Sequence, residues 1–524
     1  MPVSARMDIT TWTTEGSLAK LLQWRVSENP DHPFVFVEDD GPWTYGAIAT
    51  EAVSIHGRLV DAGVRPGDLV VVRIGNDQRF PAAAFAVWMA SAGMIAMHPA
   101  APSHDVANVV AAMGPTAIIA DPDDDAAHAA VSLPVVGVSP FPATGAAAGL
   151  HSTEAFRAPP GIDGSETALV LLTSGSTGMP KGVVLSHANA WSNLRSTVSA
   201  FRRDTSPTPL PTTPKPPNMI ANPLSHTAGV VRLLFALYVG RTVVLLKKFD
   251  GAVAHRLIGR HGIDNLTINP SMIRMLIDQV PQGQDLAPVR YASSGTAPLP
   301  AALREEFEDR FGIPVLQAYG QTEAFGGIAI ESVKDVLAGR RRLGSVGKPL
   351  PGVELRIVDD AGEQVAAGEV GELLVRSRSA TAGYLGTDAR PPLDGDGWLI
   401  TGDRGRLDHE GYLYITGRSK NIIICGGFNI VPEELEAILA QDDSVRDAAV
   451  LGVPDPRLGE IPVALVESDS DAAAILERAA ARLAPYKRPR RVFVIDRLPR
   501  VPTGKVARPA ATELARTLAT QSLK

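Results

Sequence analysis

The residues best suited to chemistry lie between Leu171 and His187, which read LLTSGSTGMPKGVVLSH. Gly175, Gly178 and Gly182 permit positive φ and a close approach of backbone to a ligand. Thr173, Ser174, Ser176 and Thr177 supply hydroxyl donors, and Lys181 supplies a fixed positive charge. Apolar runs of strand character precede and follow the loop. In that setting backbone N–H groups and hydroxyls can wrap a polyphosphate. A Walker A loop is excluded, because Lys181 lies between Pro180 and Gly182 and lacks the Ser or Thr that must follow. A Gly/Ser linker is the alternative, but linkers do not sit between two strands. Other groups stand alone in sequence. Asp403 lies close to Gly402 and Gly405 and is expected in a turn rather than a core. Lys505 follows Thr503 and Gly504, which suits a tight loop presenting one long cation; a solvated tail lysine is the alternative. Cys425 reads as a small packing residue rather than a nucleophile.

These groups need a scaffold. Strand character recurs at 68–72, 117–120, 169–172, 243–246, 353–358, 373–375 and 492–495, with helical segments such as 299–311 and 472–483 between. Alternation of this kind predicts α/β layers with parallel sheet. From about Leu350 short strands and turns dominate, which predicts a small barrel or antiparallel sheet. Pro432, followed by Glu433, Glu434 and Glu436, marks a helix start: proline suits the first position and acids suit the positive end of the dipole. A compact α/β module then ends in a basic tail. From Pro485 to Lys524 three Lys and seven Arg face Asp496 and Glu513, either a solvated surface or a face that meets phosphates. Ala/Gly/Pro-rich 139–160 and six-proline 205–218 read as loops.

The chain has 524 residues, too many for one compact core, so about two to four domains are expected. At 45% hydrophobic and 20% charged residues it is an ordinary folded composition, not a disordered one. A net charge of −7 argues against a generic nucleic-acid binder. One cysteine excludes an internal disulfide and a cysteine metal cluster. The N-terminus lacks a signal-peptide apolar core, and the last residues, Ser-Leu-Lys, are not a peroxisomal address. The uncharged stretch 80–97 is mostly Ala, Gly, Ser and Met, so it reads as a buried helix and not a membrane span. A cytoplasmic location is expected.

The 171–187 segment resembles the phosphate loop of the adenylate-forming superfamily, which comprises acyl-CoA synthetases, nonribosomal-peptide adenylation domains and beetle luciferases. Five further motifs follow in that family's order: SGTAPL at 294–299 with Thr296 where a Gly is usual, YGQTE at 319–323, TGD at 401–403, GRSK at 417–420 with GGFNI at 426–430, and PTGK at 502–505. The resemblance covers essentially the whole chain. It implies a large N-terminal domain, 1–419, of layered α/β subdomains with a small β-barrel-like part, and a small mobile α+β C-terminal domain, 420–524, hinged at Lys420. It also implies two half-reactions. A carboxylate attacks the α-phosphorus of ATP, giving acyl-AMP and pyrophosphate; a thiol then attacks the acyl carbonyl and AMP leaves.

The resemblance carries roles residue by residue. Lys505 reaches the attacking carboxylate and the α-phosphate. Glu323 is the Mg²⁺ ligand, with Thr322 near the α-phosphate; one carboxylate suffices where phosphates and water complete the shell. Asp403 accepts from both ribose hydroxyls, and Arg418 sits near ribose and phosphate. Tyr319 stacks on adenine, with Gly320 beside it, while Gly295, Thr296, Ala297 and Pro298 line its edge. His226 is the gate beside the acyl pocket, or else a hydrogen-bonded core histidine. Ser225 stands where the family has an aromatic residue, and Asn421 where an acid is common. Gly426 and Gly427 form the wall of a thiol tunnel.

Pocket walls are expected from His226, Thr227, Ala228, Gly229, Ser294, Gly320 and Ala324, mostly small, which predicts a roomy apolar pocket for a bulky, medium or long acid. No Asp lies in the 222–226 gate segment to hold a substrate ammonium, so the acid is not an amino acid. With no carrier domain following Lys524, a free-standing carboxylate–CoA ligase is expected, using ATP, Mg²⁺ and CoA, with the basic tail meeting the phosphates of CoA. A free-standing acyl carrier protein is the alternative acceptor. An inert nucleotide-binding regulator is disfavoured because Lys505, Glu323 and Asp403 are all present. A homodimer is left open.

Overall fold

The structure is a computed structural model describing residues 16–130, 132–142, 156–174, 180–201, 215–386, 393–418, 421, 423–425, 428–455, 458–480, 482–483, 487–501 and 504–521. Gly175, Ser176, Thr177 and Gly178 of the expected phosphate loop, the hinge residue Lys420, and Gly426 and Gly427 lie outside the described residues.

A seven-stranded sheet carries the first layer. Strands Thr167–Ser174, Gly93–Ala96, Leu69–Arg73, Ala117–Ala120 and Val135–Gly137 run parallel, and Pro180–Ser186 and Gly383–Leu385 extend one edge antiparallel. Their uninterrupted apolar runs suit strands covered on both faces. A second sheet orders Asp40–Thr44, Pro33–Val37, Val243–Leu245 and Asn218–Ile220. A third orders Asn265–Ile268, Tyr291–Ser294, Val315–Gln321, Gly326–Ile330 and Lys348–Pro349. The region expected to be barrel-like or antiparallel is a four-stranded antiparallel sheet, Glu354–Val358, Gly371–Arg376, Leu399–Leu407 and Leu413–Arg418. Past residue 423 a separate sheet pairs Val445–Asp455 with Gly459–Ser468, flanked by the helices Pro432–Leu439, Ala472–Ala480 and Arg508–Gln521. Its two core clusters, around Val450 and Leu465, share no residue with the clusters of the preceding chain.

Two expectations change in the structure. The stretch 80–97 is not one helix: the helix Arg79–Met89 ends, the chain turns at Ser91 with φ +56°, and Gly93–Ala96 joins the sheet. Apolar runs do not distinguish buried strand from buried helix by periodicity. Glycine settles it here, since a Cβ at Gly93 would stand 2.8 Å from Leu69 Cδ2 and 3.1 Å from the Thr167 carbonyl oxygen. The proline-rich segment ends earlier than expected, because Asn218 already pairs with Val243. No helix among the described residues is long and apolar enough to cross a membrane.

The element that matters most to the site is the helix Thr227–Val239. Its first turn packs against the backbone of 222–223, where a Cβ on Gly229 would lie 2.3 Å from the Pro223 carbonyl oxygen. Asn76 holds that same loop: its amide donates to the carbonyls of Asn222 and Leu246 at 3.0 Å, and its Oδ1 accepts from Leu224 N at 2.8 Å. Gly229→Ala must therefore push backbone against backbone. We expect roughly 1–3 kcal/mol of destabilisation, read as a lower chemical-denaturation midpoint, together with a raised KM for the acid. An unchanged midpoint and KM would show that the helix start is not clamped.

Candidate active site

Segments far apart in sequence converge on one site. The strand Val315–Gln321 delivers Tyr319 and Gly320 and passes into the short 3₁₀ turn Thr322–Ala324. Thr227 Oγ1 donates to Thr322 Oγ1 at 2.8 Å, tying that turn to the start of the helix Thr227–Val239. Gly320 approaches the facing strand so closely that a Cβ would lie 2.0 Å from the Gly326 carbonyl oxygen. Glu323 Oε1 accepts from Tyr384 Oη at 3.1 Å, and the Tyr384 ring lies 5.2 Å below Lys181 Nζ. Tyr384 thus links Lys181 to Glu323. It stands on the edge strand Gly383–Leu385, paired with Val183, and burial together with the Glu323 charge raises its pKa. Thr173 and Lys181 are cross-strand partners, so the hairpin places its hydroxyl and its cation at one end of the sheet.

Asp403 corrects the expectation of a turn. It lies within the strand Leu399–Leu407, is 3% exposed, and pairs with Arg418 across the ladder. A buried carboxylate needs partners. Arg418 Nε reaches Asp403 Oδ1 at 2.9 Å, and Tyr319 Oη donates to Oδ2 at 2.6 Å. Burial and the adjacent Asp403 charge raise the Tyr319 pKa, which keeps its hydroxyl a donor.

The loop after the strand Tyr291–Ser294 forms one rim. Thr296 holds φ +69°, the left-handed region where glycine is usual, and Thr296 and Pro298 are exposed with Gly295 and Ala297 partly so. A Cβ on Gly295 would lie 3.3 Å from the Ala318 carbonyl oxygen, so this loop runs directly beside the Tyr319 strand. Ser294 is buried, and its Oγ lacks a partner among the described residues. Ala324 is also buried, within the core cluster of Ile328, Leu350 and Leu373, and does not form an open wall. Thr227 and Ala228 are half-buried along the cleft side of their helix, and Gly229 faces the 222–223 backbone.

His226 is not a satisfied core histidine. Its Nε2 is buried with no hydrogen-bond partner among the described residues, as is the Oγ of neighbouring Ser225. Burial lowers its pKa to about 4, helped by His98 and Lys505 nearby, so the ring is neutral at pH 7. Lys505 is close enough to feel four groups of the preceding chain. Burial lowers its pKa, Arg418 adds to that, and Asp403 and Glu323 oppose it. The lysine is delivered by docking of its loop. Asn269 caps the helix Pro270–Gln279, which exposes Ser271 on its first turn. Ser271 Oγ donates to the Gly504 carbonyl at 3.2 Å, and a Cβ on Gly504 would lie 2.8 Å from that hydroxyl. Gly504 also holds φ +83°, so both space and backbone demand glycine.

The basic tail is partly neutralised at home. Lys487 pairs with Glu434 at 2.7 Å and Arg508 with Glu436 at 2.7 Å, while Arg500 bonds Asp447 and Glu467. Those cations brace the domain and are not free for phosphate. Sequence reasoning missed Asn76, Tyr384 and Ser271, since each acts through contacts distant in the chain.

Two buried imidazoles set the acid limb of stability. Burial lowers the His187 pKa to about 4 as well, and its Nδ1 must stay unprotonated to accept from Leu18 N at 3.1 Å. The unfolded chain takes up protons near the ordinary 6.5 and the folded chain only near 4. Stability is thus full above about pH 7 and falls as pH drops from 6.5 towards 4, by up to roughly 3 kcal/mol per imidazole. Denaturant titrations across that range should show a shallower loss for His226→Asn than for the unaltered protein. Parallel profiles would refute the buried neutral ring.

The chain matches the AMP-binding enzyme family over residues 22–385 and the AMP-binding enzyme C-terminal domain over residues 434–505. It is 33% identical over 515 residues to a sulfoacetate–CoA ligase of Cupriavidus necator, covering 94% of this chain and 96% of that one. It is 35% identical over 376 residues to an indoleacetate–CoA ligase of Aromatoleum aromaticum, covering 70% of each. Among solved structures it superimposes on ATP-bound MatB from Rhodopseudomonas palustris with a TM-score of 0.82 at 28% identity, covering 95% of this chain and 99% of that one. With MenE from Bacillus subtilis, solved with ATP and magnesium ion, the TM-score is 0.77 at 26% identity, covering 93% and 98%. The Thr173–Lys181 strand pair, the Asp403–Arg418 ion pair and the docked Gly504 loop that carries Lys505 thus sit in a chain matched by both halves of one family, and the protein belongs to the AMP-binding enzymes.

Proposed function

We infer that this enzyme is an ATP-dependent carboxylate–CoA ligase: it activates a non-amino carboxylic acid as acyl-AMP and transfers the acyl group to CoA. The observation that carries this reading is the position of Lys505. It enters the cleft that holds Glu323, Asp403, Arg418 and His226, although it comes from the other end of the chain. The CoA–ligase names of the relatives support the same activity.

The chemistry requires an anion to attack a polyanion, so the residues must first offset repulsion and fix alignment. Lys505 bridges the attacking carboxylate and the α-phosphate. Lys181 and the 173–178 hairpin take the outer phosphates. Asp403 receives the ribose hydroxyls; each of its oxygens retains acceptor capacity beyond the bonds from Arg418 and Tyr319. Tyr319 and the 295–298 rim hold the base. Glu323 has one oxygen bonded by Tyr384 and suits a Mg²⁺ ion completed by phosphate and water. That ion supplies charge neutralisation when bound. Neutral His226, with a free ring nitrogen, gates the acyl side beside Ser225 and Ser294.

For the second half-reaction Lys505 must withdraw. We place the division at 1–419 and 420–524, with Lys420 as hinge and Gly426 and Gly427 as the wall that admits the pantetheine arm. The Gly504–Ser271 contact is one bond wide, small enough to break in each cycle.

Two experiments test this. ATP-dependent products from a panel of acids, measured by mass spectrometry with and without CoA, should include acyl-CoA when CoA is present. Acyl-AMP that accumulates and ignores CoA would move the acceptor to a carrier protein. Lys505→Ala should lower acyl-AMP formation at least ~100-fold yet spare much of the thiol step from supplied acyl-AMP. Equal loss in both steps would refute the division of labour.

A further inference from the structure

The helix that follows His226 carries a feature not used above. Along Thr227–Val239 the partly accessible residues are Thr227, Ala228, Val231, Arg232 and Phe235, and their neighbours Gly229, Val230, Leu233, Leu234, Ala236 and Leu237 are buried. Positions recurring at this spacing form one stripe on a helix. The stripe begins at the gate histidine and passes Thr322 and Gly326, which Thr227 and Val231 face. The stripe thus leads away from His226 along the side of the helix that meets the Thr322 turn and the strand Gly326–Ile330.

Arg232 lies on this stripe, six residues and about 9 Å of helix rise beyond His226. Helical side chains lean towards the N-terminus, which carries its guanidinium back towards the gate. The group sits deep in the fold yet keeps partial solvent access, as expected of a side chain facing an internal cleft. Its hydrogen bond is to Ser293 Oγ at 3.3 Å, and it forms no ion pair with any carboxylate among the described residues. Ser293 is itself occupied with Thr267 Oγ1 and the Leu266 carbonyl. Other deep arginines of this chain are neutralised: Arg304 by Glu331 at 2.7 Å, Arg73 by Asp124 at 2.9 Å, and Arg25 by Glu28 at 2.6 Å. Burial lowers the Arg232 pKa to about 10, which leaves it charged at pH 7. An enclosed cation without a counter-ion is costly to the fold. That cost is offset when a ligand brings the missing anion. An apolar acid tail would instead bury the charge further.

We propose that Arg232 is a specificity-determining residue that binds a second anionic group of the substrate, so that the preferred acid is dianionic, a carboxylic acid bearing a further carboxylate or sulfonate. This rests on the ligase reading above, deepens it, and replaces the apolar acid expected from the small wall residues. The reacting carboxylate lies at Lys505 and His226, and the distal anion lies deeper, as a charge-assisted and geometrically bidentate pair with the guanidinium. No bond changes at this end of the acid.

The test uses the full-length protein with α,ω-dicarboxylic and sulfoalkanoic acids, each paired with the monocarboxylic acid of equal length. Activation is scored by ATP–pyrophosphate exchange and, separately, by acyl-CoA formation. The dianionic member should exceed its partner by about 100-fold or more in kcat/KM. Arg232→Met should abolish that preference, mainly through KM of the dianion, and should raise turnover of the monocarboxylate. Arg232→Lys should restore part of the dianion preference. Thermal shift gives a readout independent of turnover: the dianion should raise the melting temperature of the unaltered protein and not of Arg232→Met. Preference of the unaltered enzyme for monocarboxylates would overturn the proposal, as would equal loss of both acids in an Arg232→Met protein of native melting temperature. Exchange without acyl-CoA for every acid would instead defeat the CoA reading, while the exchange data still judge Arg232.

Discussion

A buried cation needs anions beside it, and here Lys505, carried by a part of the chain far from them in sequence, stands beside Asp403 and Glu323. Lys505 enters the cleft because Gly504 places bare backbone against Ser271. Any side chain there would hold the loop off, and the positive φ of Gly504 would strain it further. The receiving surface is equally specified. Asn269 caps its helix and Pro270 occupies the first position, so Ser271 is presented at a fixed helix start. Among the described residues the contact is narrow, one hydroxyl donating to one carbonyl.

The acids of the site hold cations in place before any ligand binds. Asp403 orients Arg418 and Tyr319, and Glu323 orients Tyr384 beneath Lys181. These pairs link the antiparallel sheet, the third sheet and the phosphate hairpin, so elements far apart in sequence present their charges at one point. In a cleft of low dielectric, charges fixed in advance act more strongly than charges recruited from solvent. Ser225 Oγ, His226 Nε2 and Ser294 Oγ are buried without a partner among the described residues, and the guanidinium of Arg232, on the helix that follows His226, has no ion pair among them. Free energy given up there by the empty protein is recoverable on binding.

Local chemistry made part of this legible from residues alone. The 117–120 strand, the proline-started helix at 432 and the phosphate hairpin flanks carry their signals within a few residues, and the structure has them at those places. Apolar continuity misread 80–97, because a buried helix and a buried strand look alike until Gly93 is set between Leu69 and Thr167. Glycines around Asp403 suggested a turn, yet the strand ladder with Leu413–Arg418 and the Arg418 ion pair bury it.

The sequence by itself determined the family, through short motifs whose glycines, hydroxyls and charges must stand at fixed spacing for backbone to wrap phosphate. It also determined which residue types are available for adenylation. The tertiary structure decided which of them meet: that Lys505 crosses to Asp403 and Glu323, that Tyr384 joins Lys181 to Glu323, and that Arg232 bonds Ser293 with no ion pair among the described residues. The reason is range. Turn conformation and phosphate wrapping are set by neighbours along the chain, whereas burial, ion pairing and the field at a charge are set by groups hundreds of residues away that only folding brings within a few ångströms.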